Sequence, residues 1–382
     1  MRNHLSRSSL AFTFMVLAAC SADDEPAGRV LSGDIETFAG LGPTNFGHDG
    51  DNGSAASARL AYVTGVATDD SDNVYITDGA ANVVRKITVS NGTITTIVGK
   101  FIGFNTTDGD PYSGDGGTAT SARLNVPLAL TVDGSGNVYI ADAGNHAIRL
   151  VTASTGKIST LAGKGLSGYE GDGASSTQSK IWNPYSIAHD ASGNIYFADS
   201  QNHCIRKIEK ATGKIYTIAG KGPASAGYTG DNGPAVAATL NTPQGIAVGS
   251  DGAIYIADCG NNVIRKINST GTINTIAGTG QPGYSGDNGP AVQAEFLALK
   301  GLDVDNENNV YLADSGNNVI RMISASDGKI TTVAGSGSAG YAGDGGPALQ
   351  AKLSSPLGVA LDSYGNIFIA DSQNGVIRVV RR

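Results

Sequence analysis

The sequence predicts an all-β fold, a six-bladed β-propeller built from four-stranded antiparallel blades. Three observations lead to this prediction: a hexapeptide that recurs six times, two fixed residue offsets around each copy, and a strand pattern that is apolar on both faces. Gly is abundant, with 54 residues, and only 16% of the residues are charged. This composition favours many short strands joined by tight turns.

The hexapeptide reads Asn-Val-Tyr-Ile-Ala-Asp or a close variant, and its last residue marks each copy. These aspartates are Asp78, Asp142, Asp199, Asp258, Asp314 and Asp371. Seven residues after each of them stands an arginine, at Arg85, Arg149, Arg206, Arg265, Arg321 and Arg378. A Gly-Asp turn places a second aspartate 27 residues before each of them, at Asp51, Asp115, Asp172, Asp231, Asp287 and Asp344. Offsets that hold in all six copies indicate one repeated structural unit.

Each repeat is long enough for four short strands separated by turn signals. Its second strand is apolar on both alternating faces, as in Val74, Tyr75 and Ile76. A sheet with two apolar faces must be covered on both sides, and propeller blades achieve this by packing face to face around an axis. A two-sheet sandwich would instead expose one polar face of each strand. The repeat therefore favours the propeller.

The two chain ends are predicted to close the ring. The sixth repeat lacks its fourth strand, because the chain ends at Arg382. A sequence of the missing type stands at the N-terminal end of the repeat region, at residues 35–40. We therefore predict that this segment is the outer strand of the last blade. Such closure removes two exposed strand edges.

The first residues predict export and a lipid anchor. Charged Arg2 and Arg7 precede an apolar run that is too short to span a bilayer and that ends at Leu-Ala-Ala-Cys, with Cys20 last. This motif resembles the bacterial lipobox. The resemblance implies a signal peptide over residues 1–19, acylation of Cys20 with a short tether over residues 20–33, and a propeller over residues 34–382. Two or more acyl chains anchor a protein stably. The alternative is an ordinary signal peptide in which Cys20 is incidental.

The location and the partner classes follow from the same features. A lipid-anchored chain belongs to the bacterial cell envelope, and Ser21 after the cysteine favours the outer membrane over the inner one under the sorting rule for enterobacterial lipoproteins. The formal net charge is −8. An acidic chain offers no broad basic surface to nucleic acid. We expect a monomer and predict no cofactor.

The repeat also resembles a known family. Residues 145–149 (Asn-His-Ala-Ile-Arg) and 202–206 (Asn-His-Cys-Ile-Arg) resemble the Asn-His-Leu signature of NHL repeats, and residues 283–291 resemble the bacterial and teneurin-type subfamily. The resemblance runs from about residue 34 to residue 382 and implies the propeller fold. It implies little about activity, because members of the family include protein-binding modules, RNA-binding domains, sensor domains and lyases. Four copies have Asn or Gly in place of His, and we expect these copies to lose any role of the His.

Two sets of repeated side chains are candidates for sites. The six Asp–Arg pairs at the second and third strands are predicted to be structural ion pairs, because a group present six times does not mark one active site. An aromatic residue stands three positions before each turn aspartate, at His48, Tyr112, Tyr169, Tyr228, Tyr284 and Tyr341. These rings are predicted on the face where the turns between second and third strands emerge. They either bind a glycan or peptide around one mouth or wedge between blades.

Departures from the repeat supply the remaining candidates. Phe101 and Phe104 lie in the longest insertion, which is a candidate partner-contact loop. His189 and Asp303 differ from the residues that the other copies have at their positions on the innermost strand, and with His146 and His203 they are candidates for a metal site. Trp182 is expected to serve packing. Cys204 and Cys259 either form a disulfide or remain free.

These features favour a binding module over an enzyme. The first hypothesis is a lipid-anchored propeller that presents one loop-rich face to a protein or a glycan. The alternative is a metal-dependent lyase or lactonase-like hydrolase with its site at the mouth of the central channel. That alternative requires acids or histidines that are not repeated and that line the axis at one mouth. RNA binding conflicts with the acidic composition and with export.

Overall fold

The computed structural model describes residues 33–103 and 112–382, which form six antiparallel sheets arranged as a six-bladed β-propeller. Each blade has four strands, from an inner strand at the axis to an outer strand at the rim. In the described residues the helical segments are all short 3₁₀ turns. The predicted fold class is confirmed.

The strands follow the repeat in order. The inner strands are Val63–Thr68, Pro127–Val132, Pro184–His189, Pro243–Val248, Leu299–Val304 and Pro356–Leu361. The second strands are Val74–Asp78, Val138–Asp142, Ile195–Asp199, Ile254–Asp258, Val310–Asp314 and Ile367–Asp371. The third strands are Val83–Thr88, Ala147–Thr152, Cys204–Ile208, Val263–Ile267, Val319–Ile323 and Val376–Val380. The outer strands are Thr93–Val98, Lys157–Ala162, Ile215–Ala219, Thr272–Ala277, Ile330–Ala334 and Asp34–Ala39.

Shorter elements complete the blades. Blades one, four and six add a two-residue strand at the rim, which is Gly53–Ser54, Gly233–Pro234 and Gly346–Pro347 respectively. A 3₁₀ turn precedes each inner strand, at Ala55–Ser57, Ala119–Ser121, Ser176–Gln178, Ala235–Ala237, Ala291–Gln293 and Ala348–Gln350. Five blades have another between the second and third strands, at Ala143–Asn145, Ser200–Asn202, Cys259–Asn261, Ser315–Asn317 and Ser372–Asn374.

The N-terminal strand closes the ring, as predicted. Residues 34–39 pair antiparallel with the third strand of the sixth blade, with Ile35 opposite Val380 and Thr37 opposite Arg378. The guanidinium of Arg381 donates to Glu36 at 2.7 Å beside this pairing. The last blade is thus built from both ends of the repeat region, which leaves no blade open at the joint.

The hydrophobic core lies between neighbouring blades. Every second strand is buried along its whole length. Its side chains pack into the adjacent blade, so that Val66 of blade one shares a cluster with Ala360 and Phe368 of blade six. The Phe368 ring meets Phe38 edge to face, with 5.0 Å between centroids. Packing on both sides of each sheet explains why the second strand is apolar on both faces.

The loops define two faces of the propeller. We call turn face the side where inner strands turn into second strands, for example around Asp70, Glu307 and Tyr364. The connection face is the opposite side, where each blade passes to the next and where second strands turn into third strands. Inner strands run from the connection face to the turn face. The N-terminal strand begins on the turn face, because Ile35 lies opposite the last residue of the final third strand.

Candidate functional site

Each repeated arginine is fully buried and fastens the segment that connects two blades. In blade three, the Nη2 of Arg206 lies 2.6 Å from Asp172 of the Gly-Asp turn, and the guanidinium also donates to the carbonyls of Lys180 and Glu170. The same arginine-to-turn-aspartate contact measures 2.5–2.7 Å in the other blades. These arginines stabilise the fold, because they hold each connection against its own blade.

The aspartate that ends each second strand is a more distant partner of the arginine. Arg149 lies 3.2 Å from Asp142, and the corresponding distance in blades three to six is 3.6–3.7 Å. The carboxylate of Asp142 also accepts from the backbone N–H of Asn125 and the side-chain amide of Asn145. The carboxylate nearer to the arginine thus belongs to the Gly-Asp turn.

The five tyrosines lie over the third and outer strands, away from the axis. Each ring lies 5.1–5.4 Å from the guanidinium carbon of the buried arginine of its blade. Each hydroxyl shares a hydrogen bond with a threonine of the outer strand, as between Tyr169 and Thr217 at 2.9 Å. They therefore do not surround a channel mouth, and these contacts favour the wedge interpretation. A role in ligand binding stays a prediction for them.

His48 occupies the tyrosine position in the first blade, and its ring contacts Phe101 at a tilt of 44°, with 4.5 Å between centroids. Burial and the nearby Arg85 lower the pKa of His48. The first part of the candidate loop is thus tied to its own blade. The other predicted loop residue, Phe104, lies outside the described residues, and so does Cys20, the predicted acylation site.

The histidines of the NHL signature link neighbouring blades. His146 and His203 adopt left-handed backbone conformations, with φ of 52° and 53°. The Nδ1 of His203 accepts a hydrogen bond at 3.0 Å from the N–H of Thr242, which precedes the inner strand of the next blade. His146 accepts in the same way from Asn183. An imidazole that accepts at Nδ1 is neutral, and burial lowers the pKa of both rings accordingly.

Asparagine performs the same function in two copies that lack the histidine. The side-chain oxygen of Asn82 accepts from the N–H of Val126 at 2.7 Å, and that of Asn318 accepts from Ser355 at 2.9 Å. Both asparagines are also left-handed. The expectation that a copy without the histidine loses its role is therefore wrong for blades one and five. The position requires a residue that tolerates a positive φ and carries an acceptor.

A central channel of about 650 Å³ runs between the inner strands. His189 and Asp303 line it near the turn face, in blades three and five. Burial raises the pKa of Asp303 to about 6, although its carboxylate accepts the N–H groups of Val304 and Leu361. Burial lowers the pKa of His189, whose Nδ1 shares a hydrogen bond with the Thr131 hydroxyl at 2.9 Å.

The four candidate metal ligands do not come together. His189 stands at the turn-face end of its inner strand, whereas His146 and His203 lie in turns of the connection face. Across residues 33–103 and 112–382, no three His, Cys, Asp or Glu side chains form a group that could hold a metal ion. The donor set of the described residues therefore does not fit the metal site of the alternative hypothesis.

The connection-face end of the channel carries a set of side chains that the sequence analysis missed. We call it the channel mouth and define it by Tyr185, Gln244 and Lys300. The Nζ of Lys300 donates to Oε1 of Gln244 at 2.5 Å and lies 5.3 Å above the Tyr185 ring. Burial lowers the pKa of Lys300, with the nearby Cys259 thiol acting in the opposite direction. Burial raises the pKa of Tyr185, and the neighbouring Tyr62 and Cys259 add to that effect.

A signal for this mouth was present in the repeat. The second residue of the inner strand differs in nearly every blade and is Thr64, Leu128, Tyr185, Gln244, Lys300 and Leu357 in turn. Comparing the copies at this position, as was done for His189 and Asp303, would have identified it. This end of the channel therefore presents a different side chain in nearly every blade.

Exposed apolar side chains surround the mouth on the connection face. This apolar rim consists of Tyr62, Val126, Trp182 and Leu297, which are 38–46% exposed. They stand in the segments that lead into the inner strands. Trp182, expected to serve packing, thus presents 41% of its surface to solvent. Val126 adopts a left-handed conformation with φ of 48°, which is unusual for a β-branched residue.

Two further expectations concern the cysteines and the membrane. Cys204 and Cys259 are both free thiols, and Cys204 is buried. Among the residues that the structure describes, no helix has the length and apolar character needed to cross a bilayer.

Comparison with known proteins identifies the repeat. The family model described as the Teneurin NHL domain matches residues 221–283. The chain is an NHL-repeat β-propeller. It is 32% identical to Protein SUPPRESSOR OF QUENCHING 1, chloroplastic, of Arabidopsis thaliana over 69% of this chain, and 29% identical to NHL repeat-containing protein 2 of Bos taurus over 66%. The matches cover only 26% and 38% of those two proteins, so this propeller corresponds to one part of each.

Solved structures share the architecture with low sequence identity. An auxiliary nutrient binding protein from Bacteroides thetaiotaomicron superposes with a TM-score of 0.65 at 16% identity, covering 91% of this chain and 75% of that one. A gluconolactonase from Xanthomonas campestris superposes with a TM-score of 0.54 at 14% identity, covering 94% and 98%. At these identities the similarity establishes the NHL propeller's fold alone, and the fold serves both binding proteins and enzymes.

Proposed function

We propose that this NHL propeller is a binding module that presents its connection face to a glycan or a protein at the bacterial cell envelope. The observation that carries the proposal is the apolar rim. Monomeric proteins rarely leave large apolar side chains grouped on one surface unless that surface binds something. Exposed Tyr and Trp are the side chains most often found at the centre of protein interfaces, and their rings also stack on sugars.

The course of the N-terminal segment also supports the connection face as the binding surface. We propose that acylated Cys20 holds the protein at the envelope, with the outer membrane favoured by Ser21. The N-terminal strand begins on the turn face, so a tether over residues 20–33 joins the propeller on that side. A segment of this length spans at most about 50 Å. The anchor then places the turn face nearer the membrane and leaves the connection face directed outward.

The enzyme alternative finds less support in the geometry. Its best candidates, Asp303 and His189, both line the channel, but they stand in different blades and each is already held by a hydrogen bond. The nutrient-binding neighbour and the gluconolactonase neighbour both share the propeller fold. The fold therefore does not decide between a binding function and an enzymatic one.

The test compares two exposed aromatic residues on opposite faces. Trp182→Ala removes a ring of the apolar rim, and Tyr364→Ala is the matched control, because Tyr364 is 73% exposed on the turn face. Binding of the mature protein to a panel of defined bacterial and plant glycans is measured, and photo-crosslinking from positions 182 and 364 on intact cells detects protein ligands.

We expect Trp182→Ala to weaken binding about tenfold or more, since truncation of a central aromatic residue typically costs 2 kcal/mol or more (an order-of-magnitude figure). Tyr364→Ala should leave binding unchanged. Protein ligands should crosslink from position 182 and not from position 364. Binding that depends on Tyr364 alone, or no ligand captured from position 182 by either method, would contradict the proposal.

A further inference from the structure

Lys300 is a half-buried cation without an acidic partner. Among the described residues it forms no ion pair with a carboxylate, and its one hydrogen bond goes to the neutral amide of Gln244. Among the described residues, three other lysines lie over a tyrosine ring. Lys86 pairs with Asp69 at 3.4 Å and Lys266 pairs with Asp251 at 3.3 Å, whereas Lys207 forms no ion pair within 4.0 Å and has the charge of Asp190 near it. Partial burial of an unpaired charge is unfavourable, so its retention needs another reason.

The other polar groups of the channel mouth are also donors. Because the Oε1 of Gln244 accepts from Lys300, the amide nitrogen of Gln244 keeps its own N–H groups available. No other group of the described residues bonds to it or to the Tyr185 hydroxyl. Ammonium, amide and hydroxyl thus stand together at one end of the channel without a carboxylate. Such a set of donors is suited to an acceptor that carries negative charge.

Aromatic rings stand beside these donors. Tyr185 lies at the mouth with the Lys300 ammonium over one face of its ring, while Trp182, three residues earlier in the same blade, and Tyr62 of blade one belong to the apolar rim. Sugar rings have apolar faces that stack on aromatic side chains and a polar periphery that hydrogen-bonds. Tyr185 and Gln244 also line the central channel, whose volume of about 650 Å³ lies in the range of sites for small ligands, whereas protein partners use broad and flat surfaces.

We propose that Lys300, Gln244 and Tyr185 form a subsite for a carboxylate-bearing sugar residue, so that the ligand is an acidic glycan containing uronic acid. This inference rests on the proposed function, and it adds the chemical class of the ligand. The carboxylate pairs with the Lys300 ammonium and accepts from the Gln244 amide. The sugar face lies against the aromatic rings, and the rest of the glycan extends over the apolar rim.

The experiment measures discrimination between acidic and neutral sugars. The mature protein, in detergent micelles, is titrated with an oligogalacturonate, with its methyl ester of the same length, and with a short poly-glutamate peptide. Trp182 is the only tryptophan in the chain, so its fluorescence reports occupancy of the rim, and calorimetry gives the affinities. Lys300→Met removes the proposed charge. Lys207→Met is the matched control, because Lys207 also lies over a tyrosine, 5.5 Å from the Tyr196 centroid.

We expect the oligogalacturonate to bind about tenfold or more tightly than its ester, as for other charge-assisted hydrogen bonds. Lys300→Met should abolish that preference and Lys207→Met should keep it. Equal binding of acid and ester overturns the subsite and leaves the binding function standing. Lys300-dependent binding of the peptide without any saccharide overturns the glycan assignment. Binding of none of the probes overturns the subsite, and the glycan panel then decides the binding function separately.

Discussion

At the scale of single residues, the NHL histidine is explained by backbone geometry rather than by chemistry. The position needs a residue that tolerates a positive φ and can accept a hydrogen bond from the next blade. Histidine and asparagine satisfy both conditions, which accounts for His146, His203, Asn82 and Asn318. The sequence suggested the opposite, that loss of the histidine meant loss of its role. The backbone angle and the partner in the next blade cannot be read from one repeat alone.

This explanation predicts a graded response to substitution at His203. His203→Ala should lower the free energy of unfolding by about 2 kcal/mol, because the N–H of Thr242 loses its acceptor and alanine is disfavoured at positive φ. His203→Asn should change it by less than about 0.5 kcal/mol. Urea unfolding at neutral pH gives both values. Equal losses in the two variants would refute the acceptor role.

The hydrogen bonds that His146 and His203 accept also predict how the free energy of unfolding depends on pH. Burial lowers the pKa of His146 and His203 below the ordinary value of 6.5, so between the two values the unfolded chain binds more protons than the folded one. The stability is therefore complete above pH 6.5 and falls as the pH drops through the folded-state pKa. The double variant His146→Asn/His203→Asn should lose less stability than the parent between pH 7.5 and pH 5. A parallel loss would show that other groups control the acid response.

At the scale of elements, the N-terminal strand determines whether the ring is closed. Its Ile35 is fully buried in the sixth blade, whereas its neighbour Glu36 is about half exposed and pairs with Arg381. Ile35→Ala should cost about 2–5 kcal/mol, the usual range for truncating a buried isoleucine. Glu36→Ala, the control in the same strand, should cost less than about 1 kcal/mol. Hydrogen exchange of residues 376–380 should accelerate only in Ile35→Ala. Unchanged exchange in that variant would mean that the strand is dispensable for closure.

This closure could be predicted from the sequence because a comparison of the six repeats shows which of them lacks a strand. Five repeats have a fourth strand and the sixth does not, so the segment at residues 35–40 was predicted to supply the fourth strand of the sixth blade. The channel mouth was not found in this way, because the contact of Lys300 with Gln244 and Tyr185 joins three blades and depends on the curvature of the ring. The sequence left two interpretations of the tyrosines open for the same reason, since only the folded blade brings each ring over its arginine.

At the scale of the whole molecule, the proposed function assigns attachment and recognition to opposite faces of the propeller. The N-terminal strand enters on the turn face, and the channel mouth and the apolar rim lie on the connection face. With Cys20 acylated, the protein should stand on the membrane with its turn face inward. The single tryptophan makes this arrangement measurable, because Trp182 reports the connection face. The double variant Trp182→Phe/Tyr364→Trp moves the reporter to the turn face without changing the number of tryptophans.

We expect lipids with nitroxide-labelled head groups, in zwitterionic vesicles, to quench the reporter at position 364 more strongly than the one at position 182. Zwitterionic vesicles are specified because the turn face carries Asp70 and Glu307, which an anionic surface would repel within a Debye length of about 10 Å at 0.1 M salt. Cys20→Ser, which removes the predicted acylation site, should abolish quenching at both positions. Stronger quenching at position 182 would mean that the connection face lies against the membrane, where a soluble glycan could not reach the mouth.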